Sequence, residues 1–203
     1  MGPWPVIVLA AGTSRRFGSD KRFACLADGR YMLERTLDEC RRLSALRYLV
    51  VDSEQANVLA LAQSYDFRSV VAGQAVQGMG SSLAAGVAAL PSSVTACWIC
   101  PADLPALSVA ALQPLVQRLL ASEAGYEPVV TALAPSFQGR RGHPAWIARS
   151  HFDYLLSLSS DQGAKALWQP GAGGQVQAVD HSGVVLDADT PEQLYNIQLG
   201  SAD

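Results

Sequence analysis

The sequence predicts a three-layer α/β fold, in which a mostly parallel central sheet carries helices on both faces. Apolar runs of strand length alternate with segments whose apolar residues recur at helical spacing, the order that a parallel sheet requires. The first of these runs is apolar throughout, as in strands covered on both faces. With 203 residues and no internal repeat or linker, the chain predicts one domain, residues 1–203.

The predicted strands share a short apolar run bounded by turn residues. They are residues 5–11, 46–52, 68–72, 95–100, 128–134 and about 176–180. The predicted helices are 31–43, 53–65, 81–90, 108–122, about 161–169 and a short last helix after 184–194. We expect Ser53 and Ser108 to cap their helices, Pro91 to end one, and Pro114 to kink another. The Gly-rich stretch 170–175 predicts a surface turn.

Composition and charge exclude several classes of protein. The pI of about 5.6 and the net charge of −3 argue against a nucleic-acid partner, because proteins that bind nucleic acids usually carry a basic face. No apolar run reaches the roughly 18 residues of a membrane span. The first twelve residues lack the order of a signal peptide and predict a strand instead. We therefore expect a cytoplasmic protein that does not bind membranes.

Four cysteines are typical of a reducing compartment. Cys97 and Cys100 form a C-x-x-C motif, which would suit a redox pair or half of a zinc site. Because residues three apart on a strand face opposite ways, we interpret the motif as part of a buried strand. No ligand spacing links the three histidines, so the sequence predicts no zinc site.

Directly behind the first strand, four cations stand within eight residues. They are Arg15, Arg16, Lys21 and Arg22. The small residues Ala10, Ala11 and Gly12 allow a close approach of backbone N–H groups to a ligand, and consecutive N–H groups in a tight loop form an anion-binding hollow. The segment therefore indicates a polyphosphate site. The alternative is a strand-to-helix turn whose cations are solvated.

Other phosphate-binding loops fit poorly. A Walker loop requires G-x-x-x-x-G-K, but Gly12 and Gly18 are one residue too far apart and Lys21 is displaced. Residues 78–83 lack the last glycine of a dinucleotide fingerprint. Arg16 stands where the second glycine of a hydrolase elbow belongs.

Residues 9–21, LAAGTSRRFGSDK, resemble the L-A-[AG]-G-x-S-x-R-[FM]-G-x-x-K signature of the MobA-like nucleotidyltransferases, and most closely the molybdenum cofactor cytidylyltransferase branch. The positions in register are Leu9, Ala10, Ala11, Gly12, Ser14, Arg16, Phe17, Gly18 and Lys21. The resemblance implies a Rossmann-like fold of the nucleotide-diphospho-sugar transferase type. Arg15 and Arg22 fall outside the signature and receive no role.

Further blocks follow in the order that the family requires. They are residues 78–87, 100–107, 139–147, 161–168 and 186–194, which resemble its G-M-x-x-S-L-x-x-G, metal-aspartate, G-x-x-G-H-P, D-x-G-A-[RK]-x-L-L and D-I-D-T-P-E-D-L segments. This chain departs from the family pattern at Leu104, Trp168, Ala188 and Gln193. The blocks span residues 6 to 195, so the resemblance covers most of the chain.

The resemblance implies a role for each segment. Arg16, Lys21 and Asp103 are the expected catalytic residues. The nucleotide would contact Leu9, Ala10, Ala11, Gly12, Thr13, Ser14, Arg16, Lys21, Gly78, Met79, Ser82, Leu83, Pro101 and Ala102. The acceptor would contact Gly142, His143 and Pro144, although a lone histidine of this kind is equally compatible with packing. Positive charge from Arg16 and Lys21 suits the pyrophosphate that leaves.

Two aspartates are candidate ligands for Mg²⁺, which prefers carboxylate oxygens. Asp103 follows the predicted strand 95–100; its alternative role is a turn or cap residue. Asp189 matches the last block, but it also begins a helix-start pattern, in which it or Thr190 would cap and Pro191 would be the first helical residue. Asp187 is the alternative second ligand.

The implied reaction is attack by an acceptor phosphate on the α-phosphorus of CTP, with molybdopterin-bound molybdenum as acceptor and Mg²⁺ as cofactor. A molybdenum enzyme or its maturation chaperone is the implied protein partner. The alternatives are the same chemistry with GTP or a sugar phosphate, a non-catalytic nucleotide- or cofactor-binding regulator or chaperone of molybdenum enzymes, and, more remotely, a thiol oxidoreductase using Cys97 and Cys100.

Overall fold

The computed structural model describes residues 2–12, 14–73, 78–159 and 161–200. Its strands are β1 (Val6–Leu9), β2 (Arg47–Val51), β3 (Arg68–Val71), β4 (Ala96–Pro101), β5 (Ala132–Phe137), β6 (Arg140–Arg141), β7 (Ala145–Ala148) and β8 (Gly174–Ala178). Its α-helices are α1 (Met32–Leu43), α2 (Ala56–Ser64), α3 (Met79–Ala88), α4 (Gln113–Glu123), α5 (Phe152–Leu156) and α6 (Pro191–Gly200). Short 3₁₀ helices cover Lys21–Phe23, Val109–Leu112, Arg149–His151, Ala164–Trp168 and Ser182–Val184.

The strands form one mixed sheet in the order β3-β2-β1-β4-β7-β5-β6, with β8 paired to β5. The pairs β1/β2, β1/β4, β2/β3 and β5/β8 are parallel, whereas β7 is antiparallel to β4 and β5, and β6 is antiparallel to β5. Within the described residues, therefore, only β6 and β7 run against the other strands. The predicted mostly parallel sheet is confirmed, and the carboxyl ends of β1, β4 and β5 meet at one edge.

Alternate residues of the strands face two separate cores. Val6 and Val8 of β1 pack with residues of α1, α2 and α4 on one face, together with three tryptophans. Trp4 stands edge-on to Trp98 and Trp146, with ring centroids 6.3 and 5.5 Å apart. On the other face, Ile7 packs with residues of α3 and α5. These two apolar layers establish the three-layer arrangement.

Several predicted elements differ from the structure in position. The strand expected at 128–134 lies at Ala132–Phe137, since the apolar residues before it belong to the loop that follows α4. No strand or helix was predicted for residues 139–147, but the structure places β6 and most of β7 there. The helix expected at about 161–169 is the 3₁₀ helix Ala164–Trp168. Helix α5 was not predicted, because five residues give no helical period.

Two predicted helix signals were wrong. Ser53 does not cap α2, whose N-cap is Gln55. Pro114 does not kink a helix, because α4 begins at Gln113 and the proline lies in its first turn, where no N–H bond is lost. Ser108 does precede the 3₁₀ helix Val109–Leu112, but its side chain makes no capping hydrogen bond. Residues 170–173 form the predicted turn, and Gly171 and Gly173 adopt positive φ.

The C-x-x-C cysteines point away from each other. Cys97 packs in the core that contains α3, and Cys100 in the core that contains α1. Both are fully buried, and burial raises the pKa of each thiol. A redox pair would need the two sulfur atoms on the same side, so this pair is structural. Among the described residues, no helix is both long and apolar enough to cross a membrane.

Candidate active site

A cleft of about 750 Å³ opens at the carboxyl edge of the sheet, where β1 and β4 end side by side. The Ala102 N–H donates to the Leu9 carbonyl at 3.0 Å, which holds the two chain segments together beyond the strands. The cleft is lined by Leu9, Ala10, Ala11, Gly12, Ser14, Arg15, Lys21, Arg22, Met32, Asp52, Ser53, Gly73, Gly78, Met79, Ser82, Pro101, Ala102, Asp103, Asp161 and Asp189. The loop behind β1 and the predicted metal aspartate therefore share one hollow.

The loop behind β1 is held by Ser14. This residue adopts a φ of 51°, a left-handed conformation that is uncommon for a residue other than glycine. Its carbonyl accepts a hydrogen bond from Phe17 N, and its Oγ accepts one from Lys21 N at 3.3 Å. The turn therefore fixes the backbone of Lys21 relative to Ser14. Thr13, a predicted nucleotide contact, lies outside the described residues.

The Lys21 side chain lies between two carboxylates. Its Nζ donates to Asp103 Oδ2 at 2.6 Å and to Asp189 Oδ1 at 2.8 Å, with the Ala188 carbonyl 3.4 Å away. Arg16 approaches the other oxygen of Asp189, with Nη2 2.5 Å from Oδ2. These contacts join residues that are 82, 168 and 173 positions apart in the sequence.

The proton equilibria of this cluster reflect the pairing. Burial alone would lower the pKa of Lys21, but the charges of Asp103 and Asp189 and their hydrogen bonds raise it above its ordinary value. The pKa of Asp189 is lowered, chiefly because Lys21 donates to it and despite some burial. Both groups are therefore charged at neutral pH.

The two aspartates fit a divalent cation. Asp103 Oδ1 is buried and has no hydrogen-bond partner among the described residues, so one oxygen of this carboxylate is available for a ligand. Because Asp103 and Asp189 contact the same Lys21 nitrogen, they are close enough to ligate one ion. No cluster of three His, Cys, Asp or Glu that could hold a metal occurs in the described residues. Mg²⁺ sites with one or two carboxylates are completed by substrate oxygens and water.

Backbone contacts position Asp103. Its carbonyl accepts from Ala188 N at 3.0 Å, which brings the last block of the sequence beside β4. The neighbouring Ala102 carbonyl accepts from the buried Thr36 hydroxyl of α1 at 3.0 Å. Phe17 packs with Ala188 and Leu194 in a third apolar cluster, so the β1 loop is attached to the same block.

The structure separates the cap of α6 from the charged site. Thr190 Oγ1 accepts from Gln193 N, and Gln193 Oε1 accepts from the N–H groups of Asp189 and Thr190, a reciprocal capping arrangement. Thr190 is therefore the cap, and the Asp189 carboxylate is left for Lys21 and Arg16. The exposed Asp187 does not line the cleft. Gln193, a departure from the family pattern, has a structural function.

Residues at the start of α3 form another part of the wall. Gly78, Met79 and Ser82 line the cleft as predicted, and the Ser82 hydroxyl donates to the Gly78 carbonyl at 3.2 Å. Leu83 does not line it: the side chain is buried in the core against the sheet. Residue 83 lies on the inward side of the helix, and the predicted contact of Leu83 with a nucleotide stays a prediction.

Sequence reasoning missed Arg22. Its buried guanidinium donates to the Ala10 carbonyl at 3.1 Å and to Gln55 Oε1 at 2.7 Å, and it forms an ion pair with Asp20. Burial would lower its pKa, but Asp20 and Asp52 raise it. Arg22 thus fixes the end of β1 from inside. No local sequence pattern could have distinguished it from the neighbouring cations.

The predicted acceptor residues lie at the same sheet edge, but they do not line the cleft. Gly142 and Pro144 are buried; a side chain at residue 142 would collide with the Val184 carbonyl, so its glycine is required for packing. His143 N donates to the same carbonyl at 2.8 Å. His143 is the partly exposed member of the three, and contact of an acceptor with this segment stays a prediction.

His143 is held uncharged by its surroundings. Burial, and then the charge of Arg141, lower its pKa to about 4, while a hydrogen bond with the Ile99 backbone and the charge of Asp187 oppose the shift. Its Nδ1 is buried without a hydrogen-bond partner in the described part of the chain. Arg141 itself stacks over Trp168, with its Cζ 4.3 Å from the ring centroid. Trp168, which replaces an aliphatic residue of the family, thereby supports this segment.

Fold and site together define an α/β protein with a charged cleft at the carboxyl edge of its mostly parallel sheet. A family model, the MobA-like NTP transferase domain, matches residues 6–179, and the chain belongs to that family. It is 32% identical over 205 residues to the purine catabolism protein PucB of Bacillus subtilis (strain 168), with 92% of each chain covered.

Solved structures agree with this assignment. The crystal structure of Rv0371c from Mycobacterium tuberculosis H37Rv is similar with a TM-score of 0.77 and 25% identity, covering 97% of this chain and 98% of the other. A complex of Rv0371c with manganese matches with a TM-score of 0.73. The 4-diphosphocytidyl-2C-methyl-D-erythritol synthase of Anaerococcus prevotii DSM 20548 shares the fold alone, with a TM-score of 0.71, 14% identity and coverage of 100% and 97%. The predicted nucleotide-diphospho-sugar transferase-like fold is confirmed.

Proposed function

We propose that this protein transfers CMP from CTP to the terminal phosphate of molybdenum-bound molybdopterin and releases pyrophosphate, with Mg²⁺ as cofactor. The observation that carries the proposal is that Lys21, Asp103 and Asp189 meet in one cleft, which Ala11 and Gly12 of the loop behind β1 (the Gly12 loop) also line. A site for a metal-bound polyphosphate needs backbone donors, a cation and carboxylates within reach of one another. In this cleft Lys21, Asp103 and Asp189 lie together with the small residues Ala11 and Gly12, whose backbone would supply the donors.

In the proposed reaction, an oxygen of the acceptor phosphate forms a bond to the α-phosphorus of CTP. The bond between that phosphorus and the oxygen bridging to the β-phosphorus breaks, and pyrophosphate leaves with the electron pair. Attack by one anion on another is slow unless positive charge and position are supplied. Ala11, Gly12 and Ser14 would hold the phosphates, and Arg16 and Lys21 would neutralise the leaving pyrophosphate. No covalent enzyme intermediate is needed.

Asp103 and Asp189 would hold the magnesium ion, which when bound polarises the phosphoryl oxygens. Pro101 and Ala102, with Gly78, Met79 and Ser82, would enclose the nucleoside. A phosphate nucleophile is already ionised at neutral pH, so no general base is required. His143 would face the acceptor as an uncharged group, since its pKa is lowered to about 4.

The choice of CTP rests on sequence resemblance. The LAAG start of the signature, rather than LAGG, and the GMGSSL block favour the cytidylyltransferase branch. GTP with the same acceptor, or a sugar phosphate as acceptor, is the second candidate of the same chemistry. A molybdenum enzyme or its maturation chaperone would receive the product.

A function of another class is a nucleotide- or cofactor-binding regulator of molybdenum enzymes that performs no catalysis. The presence together of Arg16, Lys21 and Asp103, the residues expected to act in catalysis, argues against it. The carboxylates of the cleft repel a bare triphosphate, and they favour one that carries a metal.

The test is an assay of pyrophosphate release with each of the four nucleoside triphosphates, Mg²⁺ and molybdenum-loaded molybdopterin. We expect release with CTP that depends on the acceptor. Preference for GTP would reverse the choice of nucleotide, and binding of CTP without any release would favour the regulator. Lys21→Ala should weaken CTP–Mg²⁺ binding in titration calorimetry, whereas unchanged affinity would remove Lys21 from the phosphate site.

A further inference from the structure

The ammonium group of Lys21 occupies the position between Asp103 and Asp189 that a divalent cation would take. It contacts one oxygen of each carboxylate, at 2.6 and 2.8 Å, and the three side chains are largely enclosed, with 15, 18 and 21% of their surfaces exposed. The negative charge of the two aspartates is therefore already neutralised, in part, by the protein itself.

A metal ion and this ammonium cannot share the same two oxygens. Magnesium lies about 2.0–2.1 Å from its oxygen ligands, which is inside the space that the Lys21 Nζ now fills. Two cations so close would also repel each other strongly in a partly buried site. The remaining oxygens do not avoid this conflict, because Asp103 Oδ1 has no partner in the described residues but Asp189 Oδ2 is paired with Arg16. A metal that binds both aspartates therefore displaces a cation of the protein, and at the two oxygens that Lys21 contacts that cation is Lys21.

The loop allows this movement without a change of the backbone. Ser14 Oγ holds the Lys21 N–H, so the chain stays in place while the four-carbon side chain swings toward the Gly12 loop in the same cleft. Phosphate oxygens bound there would offer the ammonium a new anionic partner. Arg16 provides a second, exposed contact with Asp189, at 2.5 Å and with 73% of its side chain exposed.

We propose that Lys21 is the resident counter-ion of the aspartate pair in the free protein, and that it keeps free metal ions out until a polyphosphate draws it away. Metal and nucleotide then bind together, as a complex, and either one alone binds weakly. The metal part of this proposal concerns the protein alone; the polyphosphate part rests on the proposed function.

The metal part is tested with Mn²⁺ and the protein without nucleotide, by electron paramagnetic resonance of the free ion or by calorimetry. Lys21→Met should bind Mn²⁺ at least about tenfold more tightly than the wild type, because the competing charge is gone. Arg15→Ala is the matched control. Arg15 lines the same cleft, but it forms no ion pair with a carboxylate in the described part of the chain. Its effect should stay within about threefold.

Two further variants keep the result interpretable. Lys21→Arg retains the positive charge and should bind Mn²⁺ as weakly as the wild type, even if Lys21→Met is less stable. Adding Asp103→Asn to Lys21→Met should abolish the gain, which locates it at this site. Equal or weaker binding by folded Lys21→Met would overturn the proposal.

The polyphosphate part is tested with CTP in excess EDTA, so that no metal is present. Asp103→Asn releases Lys21 from one partner and should strengthen metal-free CTP binding severalfold. Asp161→Asn, which removes another carboxylate of the cleft, is the control for charge alone. Equal gains in the two variants would refute the exchange of Lys21 between partners. If no variant binds CTP, the proposed function fails while the Mn²⁺ result stands independently.

Discussion

Replacement of His143 by Asn should change how the stability of the protein depends on pH. Burial and the charge of Arg141 lower the pKa of His143 to about 4 in the folded chain, against an ordinary value of 6.5. Between these two values, the unfolded chain binds a proton that the folded chain does not. The histidine therefore costs no stability above pH 6.5, and stability is lost as the pH falls from 6.5 toward 4.

The size of the effect follows from the difference of about 2.5 between the two pKa values. Each pKa unit corresponds to about 1.4 kcal/mol, so at pH 4.5 the wild type should have lost roughly 2–3 kcal/mol through this residue. The lowered pKa of Asp189 acts only below its ordinary value of 3.8, outside this window. Other carboxylates begin to titrate near pH 4.5 in both proteins and cancel in the comparison.

The assay is urea unfolding of the wild type and His143→Asn at pH 7.0 and 4.5. The loss between the two pH values should be smaller in the variant by about 2–3 kcal/mol, whatever its stability at pH 7.0. Titration of the His143 ring by NMR gives the pKa directly and should agree. Equal losses in both proteins, or a ring that titrates near 6.5, would show that the ring is solvated and would refute the reasoning.

Three further predictions follow from the site and its surroundings. Asp103→Asn should lower Mg²⁺-dependent turnover at least about a hundredfold while circular dichroism stays unchanged; wild-type rates would exclude it as a metal ligand. Trp168→Leu should cost about 2 kcal/mol in urea unfolding, because it loses both the Arg141 stacking and the Nε1 bond to the Gln175 carbonyl, whereas Trp168→Phe, which keeps a ring, should cost about half as much. Cys97→Ala and Cys100→Ala should retain turnover per folded molecule; loss of turnover with an intact fold would revive thiol chemistry.

The sequence predicted the parallel part of the fold because its signals are local. The apolar run of β1 and the helical period of α1 are continuous over one element, and both elements lie within one or two residues of their predicted bounds. The antiparallel β6 and β7 were not predicted, since a two-residue strand such as Arg140–Arg141 has no periodicity of its own. β6 forms a tight hairpin with the preceding strand β5, whereas the position of β7 depends on pairing with β4, which is distant in the sequence.

In the site, too, the sequence predicted the local features but not the contacts between distant segments. The family resemblance implied that Gly12, Lys21 and Asp103 belong to one site, and they share one cleft. It did not predict that Lys21 holds both aspartates, because that contact joins three separate segments and depends on the path of each side chain. Nor did it distinguish Asp189 from Asp187. That distinction required the cap of α6. Thr190 and Gln193 make the capping hydrogen bonds at the start of this helix, so the Asp189 carboxylate takes no part in the cap.

The four cations behind β1 are not an exposed positive patch. Arg22 is buried against Asp20, while Lys21 and Arg16 are paired with the aspartates, so Arg15 is the one of the four with no ion pair in the described part of the chain. A free anion that entered this cleft would have to separate existing ion pairs and would leave Asp103 and Asp189 without partners. In the proposed exchange, a triphosphate that carries a divalent cation would replace both partners at once, since its phosphates would receive the cations and its metal would receive the carboxylates. If Lys21 exchanges partners as proposed, we expect the cleft to bind the metal–nucleotide complex more tightly than pyrophosphate, sulfate or a bare nucleotide.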